Sequence, residues 1–209
     1  MAANGMYGEG DELWKHVSEH TRELLTRFCE AHGFSTAVLA RLKPWAASLT
    51  LSTLLMQSAG FQADLGIDMH FLKQAAGSKR VEQLETIEQQ LRMLAEGSAA
   101  EQERALAEAA GKPEEATDLA ARLKSAWISG DGKAVDELMS AALEKTPESG
   151  KRLLGDRNPH MAAEVIRYLR GSEPYFVVVG AGHLVGTDGI VNTVRKHGFT
   201  VTQVLASNE

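Results

Sequence analysis

His183 sits in the run Gly180-Ala181-Gly182-His183-Leu184-Val185-Gly186, directly after an apolar stretch at 176–179. An imidazole titrates near neutrality, so in such a loop it can bind a metal ion or carry a proton. The bare backbones of Gly180, Gly182 and Gly186 would let a cofactor or another group approach it. The plainer alternative is a tight turn with His183 as a satisfied polar residue in its wall. Glu85 follows an apolar-ended segment and is a candidate ligand or base; the alternative is a charge that favours the start of a helix. Arg157, Asn158 and His160 cluster just before a helix, where a guanidinium can clamp a carboxylate or phosphate and the helix end itself favours anions. A capped, solvated helix start is the alternative there, and Asp68 has the same two readings. His16-Val17-Ser18-Glu19-His20 matches the H-x-x-E-H pattern of some zinc peptidases, a short pattern that recurs by chance. The spacing Gly180-x-Gly182-x-x-x-Gly186 resembles a dinucleotide loop, but no acidic residue follows the next strand before Glu209, and His183 would crowd a pyrophosphate.

These residues need elements to place them. The run 176–179 reads as a strand buried on both faces, 187–196 as a helix closed by Gly198, and 199–205 as a returning strand. Together they form a βαβ unit with His183 at the carboxyl end of its first strand, where open α/β sheets place ligands. Residues 80–84 read as a further short strand ending next to Glu85. The rest reads as helix: 11–31, 35–42, an apolar helix over 45–60, then 69–76, 87–95, 100–110, 114–130, 132–143 and 159–169. Pro44, Gly60, Gly97, Pro113, Pro147 and Gly150 punctuate them. The expected fold is therefore α/β and mostly helical, with a small sheet, a C-terminal βαβ unit over about 156–205 and a helical part over about 11–150. Residues 1–10 are small, polar and glycine-rich, expected to be flexible and not a signal peptide.

Several blocks resemble the TraB/GumN family, a relative of the Tiki metalloproteases. Val179 to Gly186, followed by Asp188-Gly189-Ile190 and His197-Gly198-Phe199-Thr200-Val201, is similar to its C-terminal signature, and Asp156-Arg157-Asn158-Pro159-His160-Met161-Ala162 to another of its blocks. Lys43-Pro44-Trp45, Gly66-Ile67-Asp68, Lys79, the run Leu84 to Gln90, and Trp127 with Gly130-Asp131 support it in the family's order, over residues 9–205. The family's opening Gly-x-x-His motif has no counterpart, since no His follows Gly5, Gly8 or Gly10 at that spacing. The resemblance implies a single Tiki/ChaN-like α/β domain over 11–209, N-terminally truncated, with metal-dependent hydrolysis of a peptide bond as its activity. It makes His183 a metal ligand, Glu85 a ligand or base, Arg157 and Asn158 site residues, and Mn²⁺ or Co²⁺ the ion. It equally allows a non-catalytic binding protein, as in the pheromone-shutdown role attached to the family's name. Bacterial relatives are commonly exported, so the compartment is left open.

Composition narrows the partners. The 209 residues carry 22 Lys and Arg against 28 Asp and Glu, a net charge of −6 with no basic block, which argues against nucleic acid. The single Cys29 excludes an intramolecular disulfide and a multi-cysteine zinc site. No apolar run approaches the ~18 residues a membrane span requires. A sheet of about three short strands is too small to stand alone, and an open apolar edge invites pairing, so a homo-oligomer is expected.

Overall fold

The computed structural model describes residues 5–205. Among the described residues these α-helices follow in chain order: α1 (Glu19–Ala31), α2 (Pro44–Ser58), α3 (Ile67–Ala75), α4 (Ile87–Ala95), α5 (Ala99–Gly111), α6 (Pro113–Ile128), α7 (Gly132–Glu144), α8 (Pro147–Gly150), α9 (Asn158–Leu169) and α10 (Ile190–Lys196). They gather into two compact units. One comprises the chain up to Gly66 together with Ile87–Asp118; the other comprises Ile67–Thr86 and the chain from Leu119 onward.

In the first unit, α5 packs against both α1 and α2. Ser18 starts α1 by accepting a hydrogen bond from the Thr21 N–H (3.3 Å), and Leu25, Phe28 and Cys29 then recur on one buried face. Ser98 and Glu101 form a reciprocal capping box at the start of α5. Glu103 on α5 accepts from the Ser18 N–H (2.6 Å) and the Thr21 hydroxyl (2.9 Å), which ties the two helices together at one end. The core is Leu13, Val17, Leu25, Phe28, Cys29, Leu39, Ala47, Leu51, Leu55, Leu106 and Ala110. The start of α1 explains why the H-x-x-E-H pattern is not formed. His16 precedes the helix and its Nε2 faces the Asp11 carboxylate (2.8 Å), while His20 lies inside α1, so the two imidazoles do not share a helical face. The expected flexible stretch 1–10 lies partly outside the described residues. In its described part, Met6 forms a bridge with Leu42, and the Lys43 N–H donates to the Gly5 carbonyl (2.8 Å).

In the second unit, α9 and α10 pack through Met161, Ala162, Ile166, Ile190 and Val194. Leu84, Val165, Val179, Phe199 and Val201 lie half-buried against this core.

The structure overturns the α/β expectation: helix makes up 64% of it, the described residues form no sheet, and the fold is all-helical. Among the described residues the one β-pairing is the isolated bridge between Met6 and Leu42. The segments 80–84, 176–179 and 199–205, expected as strands, are irregular. Their apolar residues are used differently. Val179, Phe199 and Val201 rest on helices; Tyr175 stacks on Tyr168 at 4.1 Å, and Phe176 meets Phe71 at 4.6 Å. Phe176 is still 73% exposed and Val204 89%, so these runs are not buried on both faces. An apolar run becomes a strand only when a second backbone lies in register to complete the ladder, and side-chain packing on a helix pair does not supply one. The βαβ unit is accordingly an irregular segment, a short helix and another irregular segment.

Leu106 is fully buried between α5 and its neighbours. Leu106→Ala is expected to cost about 2–5 kcal/mol of unfolding free energy in urea titrations, the range for a truncated core leucine.

Candidate functional site

The second unit brings four of the expected site residues together. His183 ends a 3-10 turn, Ala181–His183, whose hydrogen bond runs from its own N–H to the Gly180 carbonyl (2.9 Å). Just past it, Gly186 adopts φ +81°, and a Cβ on Gly189 would stand 2.1 Å from the Val185 carbonyl oxygen. Both positions therefore need glycine for backbone reasons. The loop is walled by its own protein: a Cβ on Gly182 would meet Met139 at 3.1 Å, and one on Gly186 would meet the Asp136 carboxylate at 2.8 Å. A Cβ on Gly180 would lie in ordinary contact, 3.7 Å, with the His183 ring.

Asn158 opens α9 and follows a π-turn, Lys151–Gly155, in which the Asp156 N–H reaches back to the Lys151 carbonyl (2.8 Å). Both Asn158 and His183 are buried, at 4% and 8% exposure, so their polar atoms must find partners within the protein. The Asn158 amide nitrogen donates to the Asp188 carbonyl (3.1 Å). A carbonyl only accepts, so this bond fixes which end of the amide is nitrogen and turns Oδ1 toward His183. Oδ1 in turn only accepts, and it lies 2.7 Å from His183 Nδ1. The hydrogen-bond network thus assigns the proton to Nδ1. Nε2 keeps its lone pair, and no described residue forms a hydrogen bond to it.

Arg157 and Glu85 form a second pair beside the first. Arg157 Nε donates to both Glu85 oxygens (2.9 and 3.0 Å), and Nη2 donates to Oε2 (2.7 Å). Nη1 donates to the Leu153 carbonyl of the π-turn (3.1 Å). The Glu85 side chain is 8% exposed and that of Arg157 19%. The charge-assisted fork occupies the donor edge that a substrate carboxylate would use. His183 is held below the usual histidine range, first by burial and then by the Arg157 charge, with Glu85 opposing. It is therefore neutral at pH 7.

The remaining candidates lie apart from this cluster as exposed residues: Asp68 at the start of α3 and His160 in α9. Two contributors carry no sequence signal. The Asp188 and Leu153 carbonyls act through the backbone, which any residue type supplies. Among the described residues no group of three or more His, Cys, Asp or Glu side chains is placed to hold a metal ion. His183 Nε2 offers one coordinating atom, and these residues alone do not assemble a Mn²⁺ or Co²⁺ centre. No described helix is long and apolar enough to cross a membrane.

The family model described as TraB/PrgY/gumN matches residues 1–203. An uncharacterized protein of Treponema pallidum (strain Nichols) is 25% identical over 192 residues, which is 86% of this chain and 58% of that protein. The chain thus spans less than two thirds of that relative's length. No solved structure matches it.

Because the folded state depresses the His183 pKa, the unfolded chain takes up this proton first as the pH falls. The stabilisation is present above the unfolded value of about 6.5 and is lost as the pH drops toward the lower folded value. Unfolding titrations from pH 8 to pH 5 should show a smaller acid-side loss of stability in His183→Gln than in the wild type.

Proposed function

The chain belongs to the TraB/PrgY/gumN family, and from that premise we propose that it is a hydrolase acting on peptide bonds, with His183 handling the proton. The observation that carries this reading is the 2.7 Å bond from the His183 Nδ1–H to Asn158 Oδ1, which leaves a neutral Nε2 lone pair without a partner among the described residues. In this scheme Nε2 takes a proton from water as the water oxygen attacks the peptide carbonyl carbon. The same proton then passes to the leaving amine nitrogen as the C–N bond breaks, returning His183 to its neutral form. Asn158 holds the ring so that Nε2 stays the reactive atom throughout. The peptide as substrate class rests on the resemblance of the Gly180–Gly186 and Asp156–Ala162 blocks to the Tiki-related proteins. A divalent ion would find one ligand here, His183 Nε2.

A second reading has its own observation in support. Arg157 and Glu85 are engaged with each other, which suits a structural or binding site better than a substrate clamp. The two readings separate in a peptide-library cleavage assay, run with and without Mn²⁺ or Co²⁺ and paired with metal titration calorimetry. The hydrolase reading expects cleavage that falls at least about 100-fold in His183→Ala, the usual contribution of a general base. It expects a smaller loss in Asn158→Ala. Absence of cleavage by the wild type under all these conditions would leave the binding reading.

A further inference from the structure

We infer that Glu85 is a positioning residue: through Arg157 and Asn158 it sets which nitrogen of His183 carries the proton. The inference rests on the reading of His183 Nε2 as the working atom, and it assigns Glu85 a role other than ligand or base. Both Glu85 oxygens are turned onto the Arg157 guanidinium at 2.7–3.0 Å. The third arm of that guanidinium holds the Leu153 carbonyl in the π-turn. Three points therefore fix Arg157: a fork on one side, the π-turn on another, and its own backbone. Arg157 immediately precedes Asn158, the first residue of α9. Any change in the Arg157 backbone angles swings the Asn158 side chain, whose amide has only one usable orientation between the Asp188 carbonyl and the His183 ring. The path from carboxylate to imidazole thus runs through one ion pair, one peptide unit and one hydrogen bond.

The burial of the pair explains why it would act in this way. With the Glu85 side chain 8% exposed, water competes weakly for the guanidinium, and the planar fork accepts few geometries. Removing the carboxylate leaves a partly buried cation without its counter-charge, an arrangement that proteins relieve by moving the cation toward solvent. Arg157 would then pull away from Leu153 and carry Asn158 with it. His183, released from Oδ1, would be free to exchange its proton between the two ring nitrogens.

Histidine-ring nitrogen NMR at pH 8, where His183 is neutral, tests this directly. The wild type should show His183 as the Nδ1–H form, with a slowly exchanging Nδ1 proton. Glu85→Ala should lose that protected resonance and gain the Nε2–H form. Glu85→Gln, which keeps shape and one acceptor but not the charge, should weaken its protection from exchange. A merely structural role would lower the melting temperature of the Glu85 variants and leave the His183 tautomer unchanged, and that result would overturn the inference. If Glu85→Ala does not fold, the Glu85→Gln tautomer and exchange rate decide the matter. The cleavage assay stays separate: a wild type that cuts no peptide yet shows the Glu85-dependent tautomer loses the hydrolase reading and keeps the relay. A cleaving wild type with a Glu85-independent tautomer does the reverse.

Discussion

The amide of Asn158 sits at 4% exposure between a ring nitrogen and a backbone carbonyl, largely shielded from bulk solvent. Leaving one buried polar group unmatched costs on the order of 1–3 kcal/mol, so the two bonds are mutually enforcing. From them follow the identity of the protonated nitrogen on His183 and the placement of the Gly180–Gly186 loop against the first turn of α9. The apolar packing of Met161, Ala162 and Ile166 against Ile190 and Val194 keeps the two sides of this contact together, since it joins the helix that carries Asn158 to the helix that follows the loop. Apolar burial provides cohesion here, and the polar contact provides geometry.

Arg157 and Glu85 add a second constraint of a different kind. An isolated buried ion pair is weak evidence for stability, because desolvation offsets much of the attraction. Its structural value lies in direction. A bidentate fork tolerates little rotation, and this one is anchored to a turn whose hydrogen bond spans an additional residue. The neighbouring charges also bear on His183. The cation reinforces the effect of burial in keeping the imidazole neutral, and the carboxylate moderates it.

His183, Asn158, Arg157 and Glu85 each stood out in the sequence as a candidate, with a structural alternative beside it, and the structure places the four together. Their pairing was not legible, because Glu85 and Arg157 lie 72 positions apart and each reads equally well as facing a ligand. The Asp188 carbonyl left no trace at all, since backbone oxygens are blind to sequence. The helices were read from apolar periodicity and capping residues, with errors where a single polar break intervenes: the expected helix over 11–31 is a 3-10 turn at Leu13–Lys15 followed by a fresh start at Ser18. The sheet failed for a reason of principle. Runs such as 176–179 carry the composition of a strand, but strand formation is a property of two backbones, and a one-dimensional pattern reports on one.

The π-turn at Lys151–Gly155 has a consequence for how this region can change in length. A turn of this type holds one residue more than an α-helical turn. Excising a single residue there would let the turn relax to ordinary helix. The Asp156 N–H would lose its Lys151 partner and the Leu153 carbonyl that holds Arg157 would move, even with every named side chain retained. Within this stretch the number of residues is as much a part of the arrangement as their identity.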